Sequence, residues 1–319
     1  MKKKLKTLYI LAFSITVFYT GVCAYGADYS NKINGNFIEK INYMLNDLGI
    51  FNIISLNNKE DNKEVYKPNH QFSMYEDLYY YQPENLTRYI RFSAKNTDIL
   101  LEDVIWIVNM NLDKKFYEDS REIKDLDQDI LLVNKLNYLP KDYEPSNLVY
   151  IENGKQATEE TAEAYEIMKN DAIKEGIYMN VVSGYRSIEY QKDLYRRYLK
   201  KDKKEIVDTY SARAGYSEHH TGQALDLAST DGNMNNFGNT KAGAWVKENA
   251  WKYGFIVRYT DENRYITGYK SEPWHIRYVG TEISTIMHNE DIKSLEEYFG
   301  KYIQHTPPYD EVLEEIIYE

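Results

Sequence analysis

Apolar and polar positions divide the chain into three stretches of different texture. Residues 27–82 are mostly polar. One helix is predicted there over 37–48, where Phe37, Ile38, Ile41, Met44, Leu45 and Leu48 recur at helical spacing and Gly49 ends the pattern. Residues 57–69 read as a charged loop. The next stretch predicts two short helices, 84–95 and 98–110, broken at Asn96-Thr97. Thr97 is a candidate N-cap, and Ile99, Leu100, Val104, Ile105, Ile107 and Val108 supply the apolar face. The acidic segment 118–129 then reads as a linker or surface loop.

From about residue 130 the punctuation is denser. A helix is predicted over 158–175, ended by Gly176, and a strand over 177–183. Ser187 caps a helix that runs to about Lys200, and a strand follows at 223–228. Thr240 caps a helix to Tyr253, closed by Gly254, before a strand at 255–259. The last strand is placed at 274–279, with helices at 280–288 and 291–300. This alternation predicts an α+β fold, a small antiparallel sheet with flanking helices, preceded by a small helical N-terminal region. The expected division is 1–26 as signal peptide or anchor and 27–129 as a helical spacer, then 130–305 as the catalytic domain and 306–319 as a C-terminal tail.

The first 26 residues do not belong to the fold pattern. Lys2, Lys3, Lys4 and Lys6 precede an apolar run from Leu8 to Ala24, and Ala24-Tyr25-Gly26 offers small residues for cleavage before Ala27. This is the layout of a secretory signal, with an uncleaved membrane anchor as the alternative. The expected location is extracytoplasmic, secreted or anchored at the cell wall. Cys23 is the only cysteine, which excludes an intrachain disulfide, a Cys-based zinc knuckle and, after cleavage, a cysteine nucleophile. With 39 Lys plus Arg against 50 Asp plus Glu, the net charge of −11 excludes the electrostatic footprint of a nucleic-acid binder. A metal site here must be built from His, Asp and Glu.

Three segments concentrate such residues. The first is Ser217-Glu218-His219-His220-Thr221-Gly222-Gln223-Ala224-Leu225-Asp226. Asp226 sits in the run Ala224-Leu225-Asp226-Leu227-Ala228, which as a strand places Leu225 and Leu227 on one face and Asp226 on the other. A carboxylate within a core strand is costly unless paired or bound to a metal. The second is Glu272-Pro273-Trp274-His275, where Pro273 imposes an extended backbone on Glu272. His219, Asp226 and His275 could hold a zinc ion with a fourth position open to water, and Glu272, off the metal, could accept that water's proton. His220 should point away from its neighbour on an extended backbone and is read as a non-ligand. The third segment is Ser183-Gly184-Tyr185-Arg186-Ser187, from which Arg186 could grip a substrate carboxylate as a bidentate fork, with Gln191 one turn into the next helix. Each residue also has a plain structural reading: Asp226 capping a turn, Glu272 as a solvated acid, Arg186 paired with a local acid. There is no H-E-x-x-H, no S-x-x-K with S-D-N and K-T-G, and no Walker or Rossmann glycine pattern, so those mechanisms are excluded.

Taken together, S-G-Y-R-S at 183–187, S-E-H-x-x-G-x-A-x-D at 217–226 and E-P-W-H-x-R-Y-V-G at 272–280 resemble the VanY-type D-alanyl-D-alanine carboxypeptidases. The resemblance extends over about 84–305 and includes Leu132-Val133-Asn134-Lys135 with Leu139-Pro140 and Asp142-Tyr143. It implies the Hedgehog/DD-peptidase fold, a Zn2+ cofactor on His219, Asp226 and His275, and Glu272 as general base. It also implies that Arg186, Gln191 and Ser217 hold the terminal D-alanine of a peptidoglycan stem peptide. The partner so implied is the stem peptide, with no nucleic acid, the membrane met only through an uncleaved N-terminal segment, and a monomeric protein. Ala214, where proline is expected before Gly215, and His220, where glutamine is common, depart from the pattern and bear on the loop before the metal. Two other readings compete. One is L,D-carboxypeptidase or endopeptidase action on the same stem; the other is a non-catalytic zinc-containing wall-binding module.

Overall fold

The computed structural model describes residues 70–230 and 234–303. The N-terminal signal, the helix expected at 37–48 and the tail at 306–319 lie outside the described residues. Residues from Asp77 onward form one compact unit. In chain order its helices are α1 (Leu86–Ser93), α2 (Leu101–Asn109), α3 (Glu159–Lys174), α4 (Ile188–Leu199), α5 (Lys204–Val207), α6 (Lys241–Asn249), α7 (Arg264–Thr267), α8 (Thr281–Asn289) and α9 (Leu295–Tyr302). Its strands are β1 (Arg121–Glu122), β2 (Asn137–Tyr138), β3 (Leu148–Tyr150), β4 (Gln156–Thr158), β5 (Met179–Ser183), β6 (Ala224–Ser229), β7 (Phe255–Tyr259) and β8 (Glu272–Tyr278).

The central sheet has four antiparallel strands in the order β5-β6-β8-β7. Alternation along β6 sends Leu225 and Leu227 to one face. There they join Val181, Ile276 and Phe255 in a core with Tyr165, Met168 and Ala172 of α3 and Ala242, Trp245 and Val246 of α6. Caps place these helices as expected: the Oγ of Ser187 accepts from Tyr190 N–H at 3.2 Å, and the Oγ1 of Thr240 from Gly243 N–H at 3.0 Å. A 3-10 turn, Ala250–Tyr253, extends α6 to Gly254, whose φ of +84° and tight packing against Tyr278 and Gly280 leave no room for a side chain.

Strand β5 is an edge strand, and its open edge is covered. The N–H of Val181 donates to Glu152 Oε1 at 2.6 Å, and its carbonyl accepts from Asn153 Nδ2 at 3.0 Å. The β3–β4 hairpin carrying these residues thereby replaces a fifth strand and blocks edge pairing.

Several local expectations differ from the structure. Helix α2 starts at Leu101, with extended Leu100 at its N-cap, so Thr97 is not the cap; Glu102 and Asp103 in the first turn complement the helix dipole instead. The segment 118–129 is not wholly loop, because Arg121–Glu122 pairs in parallel with Asn137–Tyr138. Helix α9 begins at Leu295 rather than 291, because Asp291 has φ +56° and the Oγ of Ser294 provides the cap at 3.0 Å. Strand β8 begins at Glu272, before the proline. At the N-terminal side, α2 packs on α9, close enough that a Cβ on Gly300 would stand 3.0 Å from the Cβ of Trp106.

Candidate active site

Asp226 and His275 are direct cross-strand partners on β6 and β8, and Ser183 of β5 lies opposite Asp226 on its other side. One row across three strands therefore carries a hydroxyl, a carboxylate and an imidazole on the face away from the apolar core. His219 reaches the same point from a 3-10 turn, Glu218–Thr221, that precedes β6. The Oγ of Ser217 opens this turn by accepting from His219 N–H at 3.4 Å. Gly222 closes it with φ +71°, and a Cβ there would stand 2.9 Å from Leu148 Cδ2. Gly222 is thus required by the turn and by its packing on Leu148 and Thr158, rather than by close approach to an ion.

One donor atom from each of His219, Asp226 and His275 lies within 4.8 Å of the others, and all three residues are buried. The His219 Nε2 is 3.3 Å from Asp226 Oδ2, and the His275 Nδ1 is 3.1 Å from Asp226 Oδ1. Donors about 2.0–2.2 Å from a common zinc at tetrahedral angles stand roughly 3.3 Å apart, and both imidazole–carboxylate separations are of that size. Both rings are oriented by their other nitrogen. His219 Nδ1–H donates to the Gly184 carbonyl at 2.8 Å, and His275 Nε2–H donates to Glu218 Oε2 at 3.2 Å. Because a carbonyl and a carboxylate only accept, the outer nitrogen of each ring carries its proton; His219, held neutral, presents its Nε2 lone pair to the shared point, and His275 would present Nδ1 once a cation displaces the proton it shares with Asp226.

The electrostatics agree with a cation site. Burial, joined by the Arg186 charge, pushes His219 down to about 4, so it is neutral and able to ligate. Burial works to raise Asp226, but His219 and Arg186 hold its carboxyl well below the usual range. Burial also opposes charge on His275, yet hydrogen bonds to Asp226 and Glu218 lift it to about 9. Positive charge is favoured between these carboxylates.

His220 is a non-ligand, but not because the backbone is extended. It lies in the 3-10 turn, its Nδ1–H donates to the Arg186 carbonyl at 2.7 Å, and its Nε2 accepts from Gly215 N–H at 3.1 Å. Both nitrogens are engaged, and burial pushes the ring down to about 4.

Glu272 comes within 4.0 Å of His275 Nδ1 through its Oε2. Residues three apart on a regular strand face opposite ways. Here Ile276 pairs with Val257 while Glu272 pairs with Tyr259, so β8 carries two extra residues across that interval. This bulge turns Glu272 onto the face of His275. Burial pushes its carboxyl up to about 7.

Arg186, Gln191 and Ser217 line the same cavity, of about 340 Å³, together with Tyr259, Tyr269, Trp274 and the three donors. Arg186 is already partnered: Nη2 is 2.5 Å from Asp226 Oδ2 and Nε donates to Ser183 Oγ at 2.9 Å. The local-acid reading is therefore realised, with Nη1 left at a long 3.5 Å from Gln191 Oε1. Gln191 Nε2 donates to the Ala212 carbonyl at 2.8 Å, so this amide braces the cavity wall.

What sequence reasoning missed is the orienting role of Glu218 behind His275. Glu218 is 1% exposed, receives Arg258 Nε at 2.7 Å, and stands 3.3 Å from Arg277 Nη1. Burial opposes its charge, but these two guanidinium groups hold its carboxyl far below the usual range. A carboxylate held this way is a poor proton acceptor and a strong orienting group for His275. The signal was present: Arg258 and Arg277 are charged residues in apolar strands and call for buried acids, as Asp226 calls for cations.

The family model for VanY, D-alanyl-D-alanine carboxypeptidase, matches residues 154–281. YodJ of Bacillus subtilis (strain 168) is 36% identical over 209 residues, covering 60% of this chain and 76% of that protein. The chain belongs to the VanY family. Among solved structures similar to this VanY-family chain is the LdcB LD-carboxypeptidase, 38% identical, covering 59% of this chain and 92% of that one, with a TM-score of 0.54. A zinc-bound mutant of the vancomycin-resistance D,D-pentapeptidase VanY is 31% identical, covering 53% of this chain and 97% of that one, with a TM-score of 0.47. The α+β architecture with its small sheet is that of the family. As a VanY-family member the protein is a zinc-dependent metallocarboxypeptidase, and its buried His/Asp donor set suits that cofactor.

Proposed function

We propose that the protein removes the C-terminal D-alanine from peptidoglycan stem peptides, with His219, Asp226 and His275 as the zinc ligands and Glu272 as the general base. The support is one convergence: three buried donors meet at a point, with Glu272 4.0 Å from one of them, in a cavity that also presents Arg186. A zinc ion on these donors supplies Lewis-acid charge at the scissile carbonyl and acidifies the attacking water. Glu272 takes the proton of that water and returns it to the departing amine of D-alanine. Arg186, which lines the cavity, receives the free carboxylate of the substrate, and Ser217 and Gln191 shape the pocket around it. This makes the enzyme an exo-cutter.

The working division takes 130–305 as catalytic domain, 27–129 as helical spacer and 1–26 as a signal or anchor, for a monomer acting outside the cytoplasmic membrane. Any membrane contact in this reading is through the N-terminal segment, if uncleaved; among the described residues no helix is long and apolar enough to cross a membrane.

The likeness to the LdcB LD-carboxypeptidase favours a second reading, L,D-cleavage of tetrapeptide stems. Mass spectrometry of purified penta- and tetrapeptide stems, with and without a chelator, separates the two. Loss of one alanine from the pentapeptide alone, abolished by the chelator, is the expected result. Trimming of the tetrapeptide alone establishes the second reading, and chelator-insensitive trimming overturns both.

A further inference from the structure

A buried charge cluster connects His275 to the C-terminal helix. Glu296, the second residue of α9, is 0% exposed and faces Arg258, 1% exposed, as a two-pronged pair. Arg258 Nη1 donates to Glu296 Oε2 at 2.9 Å and Nη2 to Oε1 at 2.7 Å. Asn134 Nδ2 adds a third bond to Oε1 at 3.1 Å. The remaining Arg258 donor, Nε, goes to Glu218 Oε1, and the other Glu218 oxygen accepts from His275. Arg277 closes the group beside Glu218. Two glutamates and two arginines thus balance in a fully buried space, and of the four Glu218 is the one hydrogen-bonded to a proposed ligand.

We infer that Glu296 is a positioning residue for the metal site, acting on His275 through Arg258 and Glu218. The inference rests on His275 being a zinc ligand. Glu296 lies beyond the residues matched by the family model, so this contribution is one that the family motifs do not predict. The physical reason is charge balance. With Glu296 neutral, the cluster carries an excess positive charge, and Arg258 turns its whole fork toward Glu218. Glu218 then accepts less strongly from His275 Nε2–H, and the ring becomes a weaker base at Nδ1. A carboxylate behind a ligating histidine is worth about 10–100-fold in metal affinity when it is removed. Acting two residues further back, through Arg258 and Glu218, Glu296 should be worth about tenfold, at the lower end of that range.

The test is zinc affinity of the full chain by competition with a chromogenic chelator. Glu296→Gln should bind zinc about tenfold more weakly, while Glu296→Asp, which keeps the charge, should stay within about threefold of wild type. Met168→Ala, a cavity variant in the core beneath α3, controls for loss of stability and should leave zinc affinity unchanged. Wild-type affinity in folded Glu296→Gln overturns the inference. So does an equal loss in Met168→Ala, which would make the effect one of general stability. Should Glu296→Gln fail to fold, histidine 15N NMR of the zinc-loaded wild type decides. A solvent-protected Nε2–H on His275 is expected, and a freely exchanging one overturns the link. His275→Ala separates the two levels: zinc retained there overturns the ligand assignment itself, whereas zinc lost there but unchanged in Glu296→Gln overturns only the role of Glu296.

Discussion

Arg186 and Asp226 form an ion pair, with Nη2 2.5 Å from Oδ2, so the proposed carboxylate grip and a proposed metal ligand are electrostatically one unit. Anchoring the guanidinium this way would fix it relative to the proposed metal site, with Nη1, 3.5 Å from Gln191 Oε1, as the group to meet the proposed substrate carboxylate. A guanidinium–carboxylate bond in a partly desolvated pocket is worth about 1.5–3 kcal/mol, or about 10- to 150-fold. Arg186→Ala should lower kcat/KM on free-acid stems by at least that factor. Amidating the C-terminus should cost the native enzyme a similar factor and the variant little more. Equal native rates on free and amidated stems would remove Arg186 as the anchor and make endopeptidase action the leading reading.

Glu272→Gln keeps the shape of the side chain and removes its basicity. Turnover should fall about 10²–10⁴-fold while zinc content stays stoichiometric. Steady-state kinetics with metal analysis of the same sample checks both halves. Near-native turnover would show that the base lies elsewhere, and Glu218, held by two arginines, is excluded from that role.

His219→Ala should abolish stoichiometric zinc, because three protein donors are the minimum of an open catalytic site. In the wild type, zinc at 100 times its Kd should stabilise the fold by about 2.7 kcal/mol. Thermal unfolding with and without a chelator should show the shift in the wild type and none in the variant. Full zinc occupancy in His219→Ala would sink the ligand assignment.

Glu152 joins the β3–β4 hairpin to β5. Burial opposes its charge, but Lys169, Tyr165 and the Val181 N–H together hold its carboxyl below its ordinary value. A folded-state value lowered in this way contributes stability that is present above about pH 4.5 and is lost as pH falls through the folded value. Glu152→Gln should therefore lower the unfolding midpoint at pH 7 and lower it less at pH 3. A difference that is independent of pH would show that the ionised carboxylate contributes nothing.

Much of this was legible because the signals were local. Gly254 before an apolar run located β7 to the residue, and the alternation around Asp226 gave its face as well as its strand. Ser187 and Thr240 announced their helices through hydroxyls that accept within three residues. What stayed hidden depends on partners far along the chain. The parallel pairing of Arg121–Glu122 with Asn137–Tyr138 is too short to leave a periodicity. Glu218 draws its meaning from Arg258 and Arg277, which no local pattern connects to it. Arg186 could be read as a substrate grip or as the partner of a local acid, because the sequence does not reveal that Asp226 is the acid within reach of it.

The bulge in β8 has a consequence for how this site can be altered. It makes the backbone length between Glu272 and Ile276 a functional quantity, separate from which side chains occupy it. Excising two residues there would yield a more regular ladder with a better-paired sheet. Every catalytic side chain outside the excised pair could remain, yet Glu272 would no longer share a face with the donors. With Glu272 as the proposed base, idealising this strand should give a folded protein without turnover.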